Sequence, residues 1–465
     1  MALARHYDCV EKYIVHAELS EPMHVGSALG KNNDILVHPV DGVPFIQSSG
    51  IAGVFRSYTI DLYGQKIADY LFGESASEDA NHESKIKFSD GIFDSNGGKV
   101  KIELRPRVAI NDETGTVMES KISGEFVNAG HKFEMESIGA GEKFSFVIYV
   151  KTDSRDKGAV DSKALLEDVF AAANNNALQL GGQKTNGCGY ICIKEVLYKK
   201  FDLTDKKERE LWLQEDSLAD DEYDSITEFK GKVIKPAYRI VVSGKTEGAI
   251  LVKAIAVTES GKDAPRSVNI QNAKRDYIVP ASSFKGAVRS QMERVSRILA
   301  DRQIDTNDII WNTFGGMRKN RDNEDEQMTG NIRFYDTVIG NREENDTALL
   351  THRIRIDKFT GGVINGGLFS ERRAAGNVEF KIDVLDKNEP KRTAAILIYA
   401  LRDLADGLYN IGGGYSVGNG IIDVETINIK AQDKEAILNF KEGTIVGDKG
   451  ILSECMKALT GEEES

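Results

Sequence analysis

Glycine-rich loops occur at two places in the chain and could bind the phosphates of a nucleic acid. The pattern Gly-Gly-x-x-[Ser/Thr]-x-Gly-x-Gly runs from Gly181 to Gly189 and again from Gly412 to Gly420. Because glycine has no Cβ, the backbone N–H groups of such a loop can approach a sugar–phosphate chain. A tight turn between a helix and a strand is the competing explanation for either loop alone. The candidate contacts are Gly181, Gly182, Lys184, Gly187, Gly412, Gly413, Gly414 and Gly418.

The two loops do not have the features of a nucleotide-cofactor site. Neither contains the phosphate-loop pattern GxxxxGK[ST]. In a dinucleotide-binding unit a strand leads into the loop and a helix follows it, whereas here a predicted helix precedes each loop. The sequence therefore predicts no nucleotide cofactor.

Five arginines could add positive charge beside these loops. Arg107, Arg353 and Arg355 lie on strand-like segments, and Arg56 and Arg289 lie on helical segments. If these surfaces adjoin, each region offers a polar cradle that holds a phosphate backbone without reading the bases. The alternative for Arg56 and Arg289 is that each pairs with a carboxylate and stabilises its own domain.

One segment of the sequence occurs twice, about half a chain length apart. VPFIQSSGIAGVFRS, residues 43–57, resembles YIVPASSFKGAVRS, residues 277–290. Gly53 recurs as Gly286, and the arginine three residues later recurs as well. A glycine inside a helix costs roughly 1 kcal/mol relative to alanine, so its recurrence indicates that something packs close to the helix backbone.

Each copy of this segment begins a predicted helix. Ser49 and Ser282 lie just before the amphipathic stretches and are predicted N-caps, with the glycines in the first turn. Lys285 immediately precedes the second glycine. Ser49, Ser282 and Lys285 are further candidates for contacts with an RNA backbone.

Both halves of the chain have the same order of elements: strand, variable loop, helix, basic strand, helix, glycine loop and strand. This β-α-β-β-α-β-like succession predicts an α+β fold with two tandem ferredoxin-like, or RRM-like, domains. We predict a first domain at 1–205, a structure-poor acidic linker at 206–235, a second domain at 236–435 and a C-terminal extension at 436–465.

Composition limits the class of protein and its environment. A net charge of −13 over 465 residues argues against a protein that coats nucleic acid non-specifically, although a local basic groove remains compatible with it. The four cysteines show no CxxC spacing, so neither a zinc site nor a disulfide framework is predicted. No apolar run approaches the length of a membrane helix and no secretory signal is recognisable, so we expect a cytoplasmic protein.

Each half of the chain contains three motifs, in the same order, that resemble those of RAMP-superfamily backbone subunits of type III CRISPR effectors. MHVGSALGKNNDILVHPVDGVPFIQSSGIAGVFRS is similar to the family's N-terminal signature, although Gln47 stands where proline is usual, and Pro280 keeps that proline in the second copy. IRIDKFTGGVINGGLFSERR is similar to the segment that leads to the family's thumb hairpin. The glycine loops are similar to its C-terminal signature. The fused copies most resemble the tandem, Csm/Cmr-like subunits of type III-D and related effectors.

The resemblance implies a fold and a set of partners. Each domain would be RRM-like with an inserted thumb hairpin, and the chain would stack along a CRISPR RNA (crRNA) and grip its backbone. Each thumb would wedge into the guide–target duplex and flip out a nucleotide. The implied partners are crRNA, target RNA, other backbone subunits, a Cas10-like large subunit and a small subunit, without a membrane. Base pairing would supply specificity.

The resemblance also implies one carboxylate that supports metal-dependent cleavage of target RNA. The family's Asp-x-x-Val stretch matches Asp34 and Val37, so Asp34 is the candidate catalytic residue and ligand for Mg²⁺ or Mn²⁺. In the second copy, alignment of Val268 with Val37 leaves Asp263 two residues out of register, as a weaker candidate. One carboxylate is enough for slow cleavage, because the RNA 2′-OH is an internal nucleophile.

Two other functions stay open. The chain could be a purely structural crRNA-binding subunit, or it could be a guide-processing endoribonuclease. The second activity usually needs a general acid–base pair, often with histidine, and no histidine recurs between the copies. His24 and His38 flank Asp34 and could assist proton transfer, or they could be ordinary surface or turn histidines.

Overall fold

The computed structural model describes residues 7–26, 34–74, 83–94, 99–108, 110, 120–122, 125–127, 132–156, 160–254, 267–304, 306, 308–319, 325–340 and 348–461. The chain forms two compact units. The first comprises Met1–Glu103, Glu136–Lys184 and Cys188–Lys235, and the second comprises Leu104–Met135, Thr185–Gly187 and Pro236–Ser465. No described helix is both long enough and apolar enough to span a bilayer.

The elements of the first half alternate short strands with amphipathic helices. The strands are β1 (Cys9–Leu19), β2 (Phe45–Ile46), β3 (Ile86–Phe88), β4 (Gly91–Phe93), β5 (Ile102–Val108), β6 (Ser120–Ile122), β7 (Glu125–Val127), β8 (Lys132–Ile138), β9 (Lys143–Thr152), β10 (Ile191–Asp202) and β11 (Asp224–Ile226). The helices are α1 (Ser48–Tyr63), α2 (Gln65–Phe72), α3 (Ser162–Asn174) and α4 (Lys206–Leu213).

The second half repeats this alternation with more strands. Its strands are β12 (Tyr238–Glu247), β13 (Ser267–Val268), β14 (Ile278–Val279), β15 (Gly315–Lys319), β16 (Asp325–Thr329), β17 (Ile332–Phe334), β18 (Thr337–Val338), β19 (Ala348–Ile356), β20 (Val363–Ala374), β21 (Asn377–Val384), β22 (Ile421–Ala431), β23 (Lys434–Asn439) and β24 (Thr444–Gly447). The helices are α5 (Ala281–Asp301), α6 (Ile309–Phe314), α7 (Pro390–Ala405) and α8 (Gly450–Thr460).

The main sheets of the two units have the same core topology. The strand order is β11-β10-β1-β9-β4-β2 in the first and β17-β21-β12-β22-β23-β24 in the second. The strands β10-β1-β9-β3 correspond to β22-β12-β21-β17, and all of these pairs are antiparallel. That is the order of a β-α-β-β-α-β ferredoxin-like sheet. The predicted α+β class with two tandem ferredoxin-like domains is confirmed.

Aromatic side chains fill the space between each sheet and its helices. In the first unit the rings of Phe55 on α1 and Phe170 on α3 are both fully buried, with centroids 6.3 Å apart. In the second unit the ring of Phe284 on α5 stacks on that of Phe380 on β21 at 4.3 Å. Burying such rings stabilises the helix positions and therefore the side chains that the helices present.

The prediction of a structure-poor linker at 206–235 is wrong. This segment contains α4 and β11, and β11 pairs with β10 at the edge of the first sheet. The Trp212 ring of α4 packs against the Phe201 ring at 5.3 Å, and the buried Lys12 ammonium pairs with Glu215. Likewise, residues 436–465 are no simple extension, because β23 and β24 widen the second sheet and α8 packs on α7.

The predicted serine caps are also wrong. Ser49 and Ser282 are the second residues of α1 and α5, and neither helix has a side-chain hydrogen bond from its N-cap residue. An aspartate from elsewhere binds the first helical amide in each copy: Ser48 N–H donates to Asp90 Oδ1 at 2.7 Å, and Ala281 N–H donates to Asp336 Oδ1 at 2.8 Å. Both carboxylates lie at the positive end of a helix dipole.

We expect Asp383→Ala to destabilise the second unit. The buried Asp383 carboxylate accepts hydrogen bonds from Arg239 Nε and Nη2 at 2.7 and 2.8 Å, and from the Tyr335 hydroxyl at 2.6 Å. Because the Arg239 side chain is 41% exposed, we expect the free energy of unfolding to fall by about 2 kcal/mol, less than loss of a fully buried ion pair would cause. Urea unfolding followed by circular dichroism measures this free energy.

Asp423→Ala is the matched control, since the Asp423 side chain is 45% exposed and its contact with Lys245 is 3.6 Å long. That variant should stay within about 0.5 kcal/mol of the parent protein. Equal losses in the two variants would contradict the structural role given to Asp383.

Candidate functional site

Three of the predicted cations meet inside the second unit. Lys285 and Arg289 lie one turn apart on α5, and Arg107 lies on β5. Lys285 Nζ donates a hydrogen bond to Thr185 Oγ1 at 2.7 Å. Burial, and then the positive charges of Arg289 and Arg107, lower the pKa of Lys285 to about 8. Segments far apart in the sequence therefore converge on one positively charged site.

This site has the electrostatic character of an anion-binding site. A partly buried ammonium near two guanidinium groups is destabilised in its charged form, and an anion placed among them would reverse that effect. Arg289 also forms an ion pair with Glu293 on the same helix at 2.9 Å. A phosphate group carries the charge and the acceptor oxygens that such a site favours.

The alternative role of Arg56 and Arg289, an ion pair with a carboxylate of the same domain, agrees with the structure. Arg56 Nη2 donates to Asp69 Oδ1 of α2 at 2.5 Å, so it ties α1 to α2 within the first unit. Arg289 has its own carboxylate partner, as described. An arginine that bonds one carboxylate still has further N–H donors for a phosphate.

The repeated helix glycines face open space. Gly53 and Gly286 are the sixth residues of α1 and α5, in the second helical turn rather than the predicted first turn. Both are exposed, and a Cβ added at either one would meet nothing within 4 Å. The expected close packing is therefore not provided by the described residues, and the helix surface beside each glycine is accessible to a ligand.

The glycine loops serve mainly to close their own turns. A Cβ at Gly181 would lie 2.5 Å from the His24 carbonyl oxygen, and one at Gly412 would lie 2.7 Å from the Leu251 carbonyl oxygen; both glycines have positive φ. The amides of the following glycines, Gly182 and Gly413, donate to those same carbonyls at 2.8 and 2.9 Å. These two amides therefore already have an acceptor within the protein, and binding of RNA by Gly182 and Gly413 stays a prediction.

The two loops differ in exposure beyond this shared turn. Gly187 is buried, and a Cβ there would lie 2.3 Å from the Phe334 carbonyl oxygen. Its counterpart Gly418 is exposed, and a Cβ added there would meet nothing within 4 Å. The whole stretch 412–418 is exposed. Gly414 has positive φ within this exposed stretch. Lys184 begins a short 3₁₀ turn, Lys184–Asn186, in the first loop.

The residue that follows Asp34 is held in place by Glu136, which also contacts His24. The amide of the next residue, Ile35, donates to Glu136 Oε2 at 3.1 Å, and His24 Nδ1 donates to the Glu136 carbonyl oxygen at 2.8 Å. Since a carbonyl only accepts, Nδ1 of His24 carries a proton, and Nε2 has a lone pair whenever the ring is neutral. Asp34 itself is exposed. His38 contacts Asp41 at 3.5 Å on the surface.

Glu136 is a site residue that sequence reasoning missed. It is 101 residues from its hydrogen-bond partner Ile35, and nothing local in the sequence pairs β8 with the Asp34 segment. Asp263 lies outside the described residues. A divalent ion of the Mg²⁺ type can be held by one or two carboxylates with several waters. Among the described residues, no three His, Cys, Asp or Glu side chains form a metal cluster.

The hairpin β19–β20 carries the remaining predicted arginines. Arg353 Nε lies 3.4 Å from Glu371 Oε2, and Arg355 is exposed. At the tip, Asp357 Oδ1 accepts hydrogen bonds from the Phe359 amide and from the amide and hydroxyl of Thr360 at 2.8–3.0 Å. The Thr360 bonds lower the pKa of Asp357. This fixed turn leaves the Phe359 side chain 85% exposed.

Comparisons with known proteins concern the family of the whole chain. A family model described as the RAMP superfamily matches residues 16–192 and 260–423. No curated protein matches the chain. The chain is similar to one in the cryo-EM structure of the type III-B Cmr-beta bound to cognate target RNA, at 17% sequence identity and a TM-score of 0.28. The match covers 41% of this chain and 61% of that chain.

Proposed function

The chain belongs to the RAMP superfamily, in two consecutive matches, and we propose that it is an RNA-binding backbone subunit of a type III CRISPR effector in the cytoplasm. The observation that carries the proposal is the site of Lys285, Arg289 and Arg107, where burial and like charges lower the pKa of a lysine. An RNA phosphate supplies the missing negative charge without reading a base.

The surface beside this site also suits RNA. Gly286 is adjacent to Lys285 and has open space in front of its Cα, so a sugar–phosphate chain can approach the α5 backbone. Its counterpart Gly53 has the same open surface on α1. The proposed ligand is crRNA, held by shape and charge, with its bases left free for target RNA. Other backbone subunits, a large subunit and a small subunit complete the proposed assembly.

RNA that co-purifies with the chain tests this function. The chain is purified from its own cells, and the bound RNA is sized and sequenced. We expect short RNAs of uniform length with one common end and many different internal sequences. Recovery of the chain without RNA, or with RNA of a single internal sequence, would contradict backbone binding.

We further propose that the first copy cleaves target RNA at Asp34. The RNA 2′-OH is the nucleophile, and it must lie in line with the adjacent phosphate. The Asp34 carboxylate is exposed, and Glu136 fixes its segment through the Ile35 amide. His24 Nε2 is able to accept a proton in this neighbourhood. A Mg²⁺ or Mn²⁺ ion, held by Asp34 with Glu136 nearby, would stabilise charge on the phosphate.

A purely structural subunit is the second candidate function. Guide processing remains a third candidate, which specific cutting of unprocessed repeat RNA by the isolated chain would support.

We expect Phe359→Ala to reduce base unstacking in a guide–target duplex bound to the chain. The proposed thumb tip presents an exposed ring on a turn fixed by Asp357, and stacking of a base on an aromatic side chain contributes about 1–3 kcal/mol. Fluorescence of 2-aminopurine placed along the duplex measures unstacking. The bright position in the parent complex should dim in this variant.

Phe359→Tyr is the matched control because it keeps the ring, and it should keep the bright position. If the alanine variant and the parent complex show the same fluorescence along the duplex, the ring does not act as a wedge.

A further inference from the structure

Asp336 performs two tasks in the second unit. Its Oδ1 binds the first amide of α5, and its Oδ2 accepts a hydrogen bond from Arg105 Nη1 at 2.6 Å. Arg105 lies on β5, and this strand's residues from Leu104 onward belong to the second unit. The side chains of Arg105 and Asp336 are only 7% and 12% exposed, so the contact forms a closed ion pair rather than a surface one.

Asp90 is the counterpart of Asp336 in the first unit. The two aspartates lie in the repeated sequences KFSDGIF and RFYDTVI, and each binds the first amide of its helix. Asp90 is exposed, and no cation pairs with it among the residues that the structure describes. The duplicated fold therefore contains two equivalent carboxylates: Asp336 pairs with an arginine, and Asp90 is exposed.

We propose that Asp90 binds an arginine on a hairpin strand of a different RAMP-domain chain, in the way that Asp336 binds Arg105. The carboxylate is already oriented by the Ser48 amide, so it costs little conformational entropy to receive the guanidinium group. The inference rests on the proposed function, because it requires a neighbouring subunit.

We expect the arginine to come from a chain other than a second copy of this one. Alignment of the motif RPRVAINDETG, residues 105–115, with THRIRIDKFTG, residues 351–361, places Thr351 at the position of Arg105. The Thr351 hydroxyl accepts a hydrogen bond from Arg373 Nη2 at 2.6 Å, so it is engaged within its own hairpin.

Site-specific photo-crosslinking in the full chain, expressed in its own cells, tests the proposal. A benzophenone amino acid replaces Ile92, which is 51% exposed and two residues from Asp90. We expect one dominant protein crosslink, located on a strand next to an arginine of another RAMP-domain chain. In Asp90→Asn, which keeps the acceptor for Ser48 N–H but not the charge, the yield should fall about tenfold. A benzophenone at Val446 should give crosslinks that do not depend on Asp90.

The outcomes are separable. Crosslinks to a second copy of this chain, to RNA alone, or to a strand without an arginine would overturn the inference. An Asp90→Asn yield equal to the parent yield would overturn it as well. Bound RNA is measured in the same preparations: RNA present without the expected crosslink refutes only the interface, whereas loss of RNA from the parent chain refutes the proposed function.

Discussion

Asp34→Ala is expected to abolish one cut in target RNA by the assembled complex while guide binding stays unchanged. A carboxylate that orients a proton acceptor or holds a divalent ion contributes about 10²–10⁴-fold to such a step. Asp34 is exposed, and its main chain is fixed through the Ile35–Glu136 hydrogen bond, so truncation of its side chain leaves that contact in place. Single-turnover cleavage of end-labelled target RNA, with Mg²⁺ and with Mn²⁺, measures the effect.

Asp41→Ala provides the matched control for this prediction. Asp41 lies in the same segment, is exposed, and contacts only the surface residue His38 among the ion pairs described for it. Its removal should leave the cleavage rate within about twofold, as expected for a surface carboxylate without a catalytic role. Persistence of every cut in Asp34→Ala, with the complex intact, would favour the purely structural subunit.

Lys285→Met is expected to weaken RNA binding while it stabilises the RNA-free protein. Loss of one phosphate contact should lower affinity about tenfold at moderate salt and reduce the salt slope by about 0.7, the value for a single strand. The loss should be equal for RNAs of different sequence, because the contact is to the backbone. Fluorescence anisotropy with several labelled RNAs over a salt series measures both quantities.

The stability effect follows from the sign of the pKa shift. The pKa of Lys285 falls from its ordinary value of 10.5 to about 8, mainly through burial. Below pH 8 the folded and unfolded chains both hold the proton, and the cost of burying the charge is fully present. Between about pH 8 and 10.5 the unfolded chain holds more protons, so stability rises with pH. Lys285→Met should therefore raise the melting temperature at pH 7 and lose this advantage above pH 10.

Lys381→Met is the control for both measurements. Lys381 lies on β21 and is exposed, with an ion pair to Glu379 at 3.0 Å. It should change neither RNA affinity nor the melting temperature appreciably. If Lys285→Met lowered the melting temperature at pH 7, the lysine would be a stabilising residue rather than part of an anion-binding site. A residue that lowers stability but improves ligand binding, as we expect of Lys285, is typical of a functional position.

Local patterns in the sequence determined the duplication, the class of fold and the order of elements. Alternating β-branched residues mark β1 and β12, and the repeated segment with Gly53 and Gly286 marks the first helix of each copy. These features are local, since strand and helix periodicity depend on residues close together in the chain. The family motifs that suggested RNA also lie within single short segments.

Contacts between distant segments were decided only by the tertiary structure. The sequence assigned the helix caps to Ser49 and Ser282, but Asp90 and Asp336 bind the first amides from 42 and 55 residues away. It offered the Gly182 amide to a phosphate, whereas the His24 carbonyl already accepts from it. Each buried donor needs an acceptor, and sheet register decides which acceptor is near. For the same reason, the approach of Arg107 to Lys285 and of Glu136 to the Asp34 segment follows from packing and not from any local pattern.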